Sequence, residues 1–428
     1  MQEIINESSS DARMRLSSTI FNFVILFLVL TTTFVSGNIF TIALENRQTE
    51  YILFTAPSEI YNSTYLAFEG DVERDIERFV LDSAPEIELS PDPAARYEAK
   101  QKIERNEAKQ KIGVYIHINN ITNKNFLKNE IRELQKIENS TVIFDVKGSF
   151  VYFDSNSEIA KKYGLKKPLY DLPTIVTQLE SAGIYTIARV IGVKDPEFAF
   201  KNPQVWLKNP WTNTPVPEWV DPANAEVLEY NRQVISEIVA AGVDEINLDF
   251  VRYPDKFTSA WLGISGQEKT KNILNFVKMA REAIDAQKMN AVLSIDTFAV
   301  LPWDDGATEA ALGQDIRELG ELADIIAPML YPATFSRDNP NYSLKGESFE
   351  YSTVYLTLRK YREALGENAD KLRPWIQGYY NSEKEIADQI KGVFAAGVCG
   401  FMVWDIQNDY TEVYKILGTI ERPENCRD

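Results

Sequence analysis

Three aspartates in this 428-residue chain close short apolar runs, where a buried strand would reach solvent. Asp145 falls at the end of TVIFDV, Asp249 within EINLDFVRYP and Asp296 within AVLSIDTF. Side chains alternate across a strand, so Asp145 shares a face with Lys147, Asn247 with Asp249, and Ser294 with Asp296. Later runs place Met329 with Tyr331, Trp375 with Gln377, and Met402 with Trp404 in the same way. An inward charge without a partner is costly, so a recurrent polar set at strand ends is poorly explained as core. Paired carboxylates can instead act as general acid and as nucleophile or base. Plainer roles stay open for each. Asp249 could pair with Arg189 or Arg252, Asp296 could orient a neighbour, and Asp145 could position rather than react. Lys147 is expected to be the ion-pair partner of Asp145.

Composition narrows the chemistry further. His117 is the single histidine, and Cys399 and Cys426 are the two cysteines. One imidazole cannot build a multi-histidine zinc site. A Ser-His-Asp triad would need His117, and no GxSxG elbow precedes a helix. Two cysteines exclude zinc fingers and iron–sulfur clusters. The expectation is therefore chemistry from carboxylates, tyrosines or lysines, with no metal and no cofactor. A Schiff-base reaction through Lys147 is disfavoured by its aspartate neighbour. His117 itself reads as a satisfied polar residue at a strand end. The formal net charge of −18 argues against nucleic acid as a partner, because that needs basic patches.

The elements that would position these residues follow a regular pattern after residue 111. Apolar runs lie at 112–118, 141–146, 185–191, 245–251, 291–298, 324–330, 372–377 and 400–404. Helical periods separate them, as at 125–137, 223–241 and 270–287. Gly183, Gly242 and Gly397 stand where a helix would end in a left-handed cap. Eight strands each followed by a helix predict an α/β fold, a (β/α)8 TIM barrel with its site at the carboxyl ends of the strands. An open doubly wound sheet is the competitor, but no Gly-rich phosphate loop follows the first strand. The insertion at 192–222 carries Trp206, Trp211 and Trp219. Later loops carry Trp261, Trp303, Phe335, Tyr342 and Phe349. Aromatic residues among Asn, Asp and Gln on such loops suit stacking on sugar rings, although some would form a small core beneath the loop. The expected substrate contacts are Lys147, Arg189, Trp219, Asn247, Arg252, Tyr253, Tyr331, Trp375, Gln377 and Trp404.

Upstream of the barrel the chain divides into residues 1–44 and a linker at 45–111. Residues 20–35, IFNFVILFLVLTTTFV, are uncharged and follow Arg13 and Arg15. They read as a signal anchor if Ile39 to Leu44 extend the span, or as a cleaved signal peptide ending at small residues. Either way residues 112–428 are expected outside the cytoplasm, tethered to the cell membrane or secreted. The charged stretch 94–111 reads as a solvated stalk or packing helix.

The motifs DVKGSFVYFDS, IARVIGVKDP, WVDP, DEINLDFVRYP, APMLYPA, RPWIQGY and GFMVWDIQND occur in order from Asp145 to Asp409. Together they resemble the glycoside hydrolase-like TIM-barrel domains of bacterial envelope proteins, over nearly all of residues 111–419. A more distant likeness is to chitinases, whose fourth strand carries DxxDxDxE. Asp244, Asn247 and Asp249 fall on its aspartates, but Val251 replaces the proton-donating glutamate. Chitinase activity is therefore not implied. An arrangement similar to the α-amylase clan is, with Asp249 on strand four as nucleophile and Asp296 on strand five as general acid/base. A wider separation of the two would invert instead. The expected function is hydrolysis of an extracytoplasmic polysaccharide or oligosaccharide. The alternative is a non-catalytic glycan-binding or scaffold barrel of the envelope. The oligomeric state stays open. Finally, Cys399 and the tail bearing Cys426 should meet at the non-catalytic face, either as a disulfide adding about 3 kcal/mol or as a buried Cys399 with a free Cys426 thiol on a frayed end.

Overall fold

The runs of β-branched and aliphatic residues do form strands. In the computed structural model the described residues are 39–46, 50–57, 105–287 and 289–426. Eight parallel strands close on themselves. They are β1 (Ile112–Ile116), β2 (Ser140–Lys147), β3 (Tyr185–Ile191), β4 (Glu245–Asp249), β5 (Val292–Phe298), β6 (Ile325–Leu330), β7 (Trp375–Gln377) and β8 (Phe401–Trp404). Each neighbours the next, and β8 returns to β1 through the Met402–Gly113 pairing. The helices that follow them in turn are α1 (Lys124–Leu134), α2 (Leu172–Glu180), α3 (Ala225–Ala240), α4 (Gly266–Ala286), α5 (Ile316–Leu322), α6 (Phe349–Leu365), α7 (Glu383–Ala395) and α8 (Thr411–Leu417). This is the (β/α)8 order expected from the pattern.

Alternation along each strand divides its side chains between two cores. Val114, Phe144, Ala188, Ile246, Leu293 and Val403 face outward into the apolar layer beneath the helices. Tyr115, Ile143, Ile187, Ala327, Trp375 and Met402 fill the barrel interior. Helix ends obey local chemistry. Asn224 caps α3 with its side chain, and Ser382 and Glu385 form a reciprocal capping box on α7. Gly183, Gly242 and Gly397 take φ of 75°, 95° and 76°, the left-handed joints anticipated between helix and strand.

Below the inward layer the barrel is plugged. Arg373 donates to both oxygens of Glu245, at 3.0 and 2.5 Å, and to the carbonyl of Ala108 at 2.9 Å. Ala108 is buried against Val292 and Ile325. Of the two readings of the stretch ending at Lys111, solvated stalk or packing helix, residues 105–110 fit the second, with Ala108 packed on the amino-terminal face and Asn106 and Glu107 exposed. Arg105 and Lys109 reach Asp324 and Asp370 there. Glu245 and Arg373 were not singled out, because each sits at the start of its run rather than its end. At the same face Cys399 and Cys426 form a disulfide with a Cα–Cα distance of 5.2 Å. The tail is also held by Arg422, which donates to the carbonyls of Gln110 and Cys399.

The insertion after β3 contains a two-stranded antiparallel ribbon, Trp206–Lys208 with Pro215–Val220. A separate unit holds an antiparallel hairpin of Ile39–Asn46 and Glu50–Pro57. Residues 39–44 are thus strand and do not prolong an apolar helix. The run at 20–35 lies outside the described residues. Among those described, no helix is long and apolar enough to cross a membrane.

Candidate active site

At the carboxyl end of the barrel, β2, β3, β4 and β5 bring Asp145, Arg189, Asp249 and Asp296 together, all buried. Arg189 is the hub. Its Nη1 donates to Asp145 Oδ1 at 2.6 Å, its Nε donates to Asp249 Oδ2 at 3.0 Å, and its Nη2 donates to the same oxygen. Tyr115 completes the set by donating from its hydroxyl to Asp145 Oδ2 at 2.6 Å. The guanidinium also lies over two aromatic rings, 5.6 Å from the centroid of Tyr115 and 5.2 Å from that of Trp404. Those rings stack on each other at 4.2 Å. One cation thus holds two carboxylates, and an aromatic floor holds the cation. Burial works against the charge on Arg189, but the charges of Asp249 and Asp145 outweigh it and raise its pKa well above the usual value.

Asp296 has a different environment. Its Oδ1 accepts from Asn247 Nδ2 at 2.9 Å and from Trp375 Nε1 at 2.8 Å. Neither donor is ionic. Burial, followed by the charge of Asp249, pushes its pKa from 3.8 to about 8, and the two hydrogen bonds and Arg189 only partly oppose this. These surroundings favour the protonated acid at Asp296. With Oδ1 occupied by two N–H donors, its proton belongs on Oδ2. Tyr331 stands close by, its pKa raised first by burial and then by the charges of Asp296 and Asp249.

The end of β4 turns sharply. Phe250 has φ of 52°, in the left-handed region that a bulky residue rarely occupies. Its amide donates to Asp249 Oδ1 at 2.6 Å, so this turn fixes the carboxylate that Arg189 holds from the other side. The turn also rotates the next side chain away. Val251 is fully buried in the outer core, and a Cβ on Gly192 would lie 2.6 Å from its Cγ2. The position of the missing glutamate does not face the site. Asp244 is also elsewhere: its Oδ2 accepts from the amide and hydroxyl of Thr186 before β4 begins.

The remaining expected contacts separate. Trp375 and Asn247 belong to the cluster through Asp296, and Trp404 through Arg189. Arg252 lies under the mouth, 4.5 Å from the Phe298 centroid and 5.1 Å from that of Trp219, with Nη1 on the carbonyl of Tyr253. Gln377 ties loops together, accepting from the amide of Ala333 and donating to the carbonyl of Tyr379. Tyr253 is wholly buried in the outer core and accepts from Asn272. Lys147 does not pair with Asp145. The β2–β3 register shifts between these residues. Lys147 consequently leaves the barrel interior, and its Nζ bonds Asp195 at 2.9 Å and the carbonyl of Ile191 at 2.6 Å beside Tyr230 on α3. His117 is satisfied as expected, capping the short helix Ile118–Ile121. Tyr115 was missed, although it precedes His117 by two in the first run and so shares its face.

A closed (β/α)8 barrel with carboxylates gathered at its carboxyl mouth puts the candidate site where such barrels carry their active sites. Residues 113–410 match the family described as "putative glycosyl hydrolase domain", and the chain belongs to that family, which places it among the glycosidases. Among solved structures the chain is similar to a hypothetical protein from Ruminiclostridium thermocellum, at 25% identity and a TM-score of 0.36, over 43% of this chain and 96% of that one. It is also similar to the spore cortex-lytic enzyme SleL of Bacillus cereus, at 10% identity and a TM-score of 0.47, over 74% and 76%. A class V chitinase from Pseudomonas fluorescens aligns at 14% identity and a TM-score of 0.46, over 72% and 98%. No curated protein matches the chain.

Proposed function

We propose that this barrel hydrolyses glycosidic bonds in a polysaccharide outside the cytoplasm, with Asp249 as nucleophile and Asp296 as general acid/base. The observation that carries the reading is the contrast between the two carboxyls. Asp249 is bound to a guanidinium, whereas Asp296 is buried among neutral donors with its pKa pushed up to about 8. A carboxyl that its surroundings keep protonated, beside a second one held by a cation, suits divided acid and nucleophile roles. Their placement agrees. The β4–β5 register pairs Asn247 with Ser294 and Leu248 with Ile295. Continued by one residue it sets Asp249 opposite Asp296 on strands about 4.8 Å apart. Neighbouring strand ends are where a retaining pair of carboxyls would have to stand.

In the first step Asp249 attacks the anomeric carbon while Asp296 passes its Oδ2 proton to the departing glycosidic oxygen. In the second, Asp296 takes a proton from water, whose oxygen displaces Asp249 and restores both groups. Asp145 acts at one remove by holding Arg189. The disulfide supports an exported location, since such bonds persist in oxidising compartments. The segment at 20–35 would then serve as membrane anchor or cleaved signal.

The competing reading, a glycan-binding barrel without chemistry, draws on Val251 facing away from the site. Reducing-end release from a panel of envelope and plant polysaccharides decides between them. The wild type should cleave at least one member, and Asp249→Asn and Asp296→Asn should each abolish release while retaining binding. Binding without release by the wild type across the panel would favour the scaffold.

A further inference from the structure

Beside the carboxylate cluster, the loops after β7 and β8 enclose a groove of about 600 Å³. Trp404 is the wall common to both, lining the groove while it stacks on Tyr115 and carries Arg189. A line of tyrosines makes the same connection along the other edge. Tyr331, next to Asp296, packs edge-on with Tyr379 at 6.2 Å, and Tyr379 packs with Tyr380 at 5.5 Å. Tyr380 is 89% exposed and has φ of 54°. An exposed turn needing a left-handed residue is best served by glycine or asparagine, so a large aromatic there has no folding rationale. Ile406 is exposed on the facing loop. The ionisable side chains of the lining, tyrosines aside, are the carboxylates Asp405, Asp409 and Glu412. Lys415, nearby, is bonded to Glu412 and Glu383.

We infer that this groove is a further sugar-binding subsite, which extends the active site along a glycan chain and accepts sugars without acidic groups. The inference rests on the glycosidase reading above. Tyr380 offers a flat amphipathic ring for a pyranose to stack on. Hydroxyl or ammonium groups of the sugar donate to the carboxylates, whereas a uronate or phosphate would meet like charge at close range. The substrate is then an oligomer that occupies the groove and the carboxylate cluster together.

The test uses the full chain carrying Asp296→Asn, so that bound oligomers persist. Calorimetric titrations compare hexamers of glucose, N-acetylglucosamine, glucosamine and galacturonic acid, each with its disaccharide. At least one of the first three hexamers should bind tenfold or more tightly than its disaccharide, and the galacturonate hexamer should not bind. Adding Tyr380→Asn, which keeps a residue tolerant of the positive φ, should weaken the bound hexamer about tenfold and leave its disaccharide and the melting temperature unchanged. Unchanged hexamer affinity in that variant would overturn the subsite and leave the glycosidase reading intact. Tightest binding by the galacturonate hexamer would overturn the assigned sugar class. No binding by any hexamer, with no reducing ends released by the wild type, would overturn both.

Discussion

Substituting Asp296→Asn should make the protein more stable at neutral and alkaline pH while removing its activity. The folded state holds the Asp296 proton up to about pH 8, whereas the unfolded chain releases it near the ordinary 3.8. Between these values the folded state binds more protons than the unfolded state, so stability falls as pH rises, by about 1.4 kcal/mol per unit. The window opens near pH 4 and closes near pH 8, for a total on the order of 5 kcal/mol. Asparagine reproduces the protonated acid. Its carbonyl can accept from Asn247 and Trp375 as Oδ1 does now, and its amide replaces the Oδ2 hydroxyl. It never ionises. Urea unfolding followed by tryptophan fluorescence, with the disulfide oxidised, should give nearly equal stabilities near pH 4. By pH 8 the variant should lead by several kcal/mol. Glu130, which burial pushes up to about 7, titrates in both proteins and cancels from the difference. A difference that stays flat from pH 4 to pH 8 would refute the assignment of a neutral acid at Asp296.

Trp375→Phe removes a hydrogen bond that lowers the Asp296 pKa, so the alkaline limb of kcat/KM should move to higher pH; an unmoved limb would place the titrating acid elsewhere. Val251→Glu should not create a second acid, because that side chain faces the outer core beside Gly192 and Phe276. It should instead lower stability by about 3 kcal/mol or more, read as a fall in melting temperature, and any gain in turnover would contradict the geometry. Cys426→Ser should cost about 3 kcal/mol and leave kcat unchanged, since the bridge lies at the face opposite the site.

Strand ends and their parity were legible because side-chain alternation is a property of any strand. That is why Asp145, Asn247, Asp249 and Asp296 meet as expected from spacing alone. Lys147 escaped the rule because one register shift after Asp145 sends it through the barrel wall, and a slip of one residue exchanges faces. Val251 escaped it through the single left-handed residue Phe250, whose conformation its side chain would not suggest. The alignment with the chitinase motif located a missing glutamate but not the direction in which its replacement points. Pairing was equally hidden: Arg189 was one of two arginines offered to Asp249, and only the folded barrel puts it between two carboxylates. The high pKa of Asp296 depends on its burial in the closed barrel and on the charge of Asp249 from β4, and no local pattern carries that. The stretch ending at Lys111 left a solvated stalk and a packing helix open because its charges outnumber its apolar groups, and the burial of Ala108 against Val292 and Ile325 matches the packing reading.

The central claim is that Asp249 attacks the anomeric carbon while Asp296 supplies the proton. Covalent trapping tests it most directly, using the 2-deoxy-2-fluoro glycosyl fluoride of whichever sugar the polysaccharide digestion releases. Intact-mass and peptide mapping of the wild-type protein should show one glycosyl adduct, on Asp249. The adduct should form in Asp296→Asn as well, since the fluoride leaving group needs no proton. A label on Asp296 or Asp145, or turnover of the natural substrate with inversion and no adduct, would contradict the account.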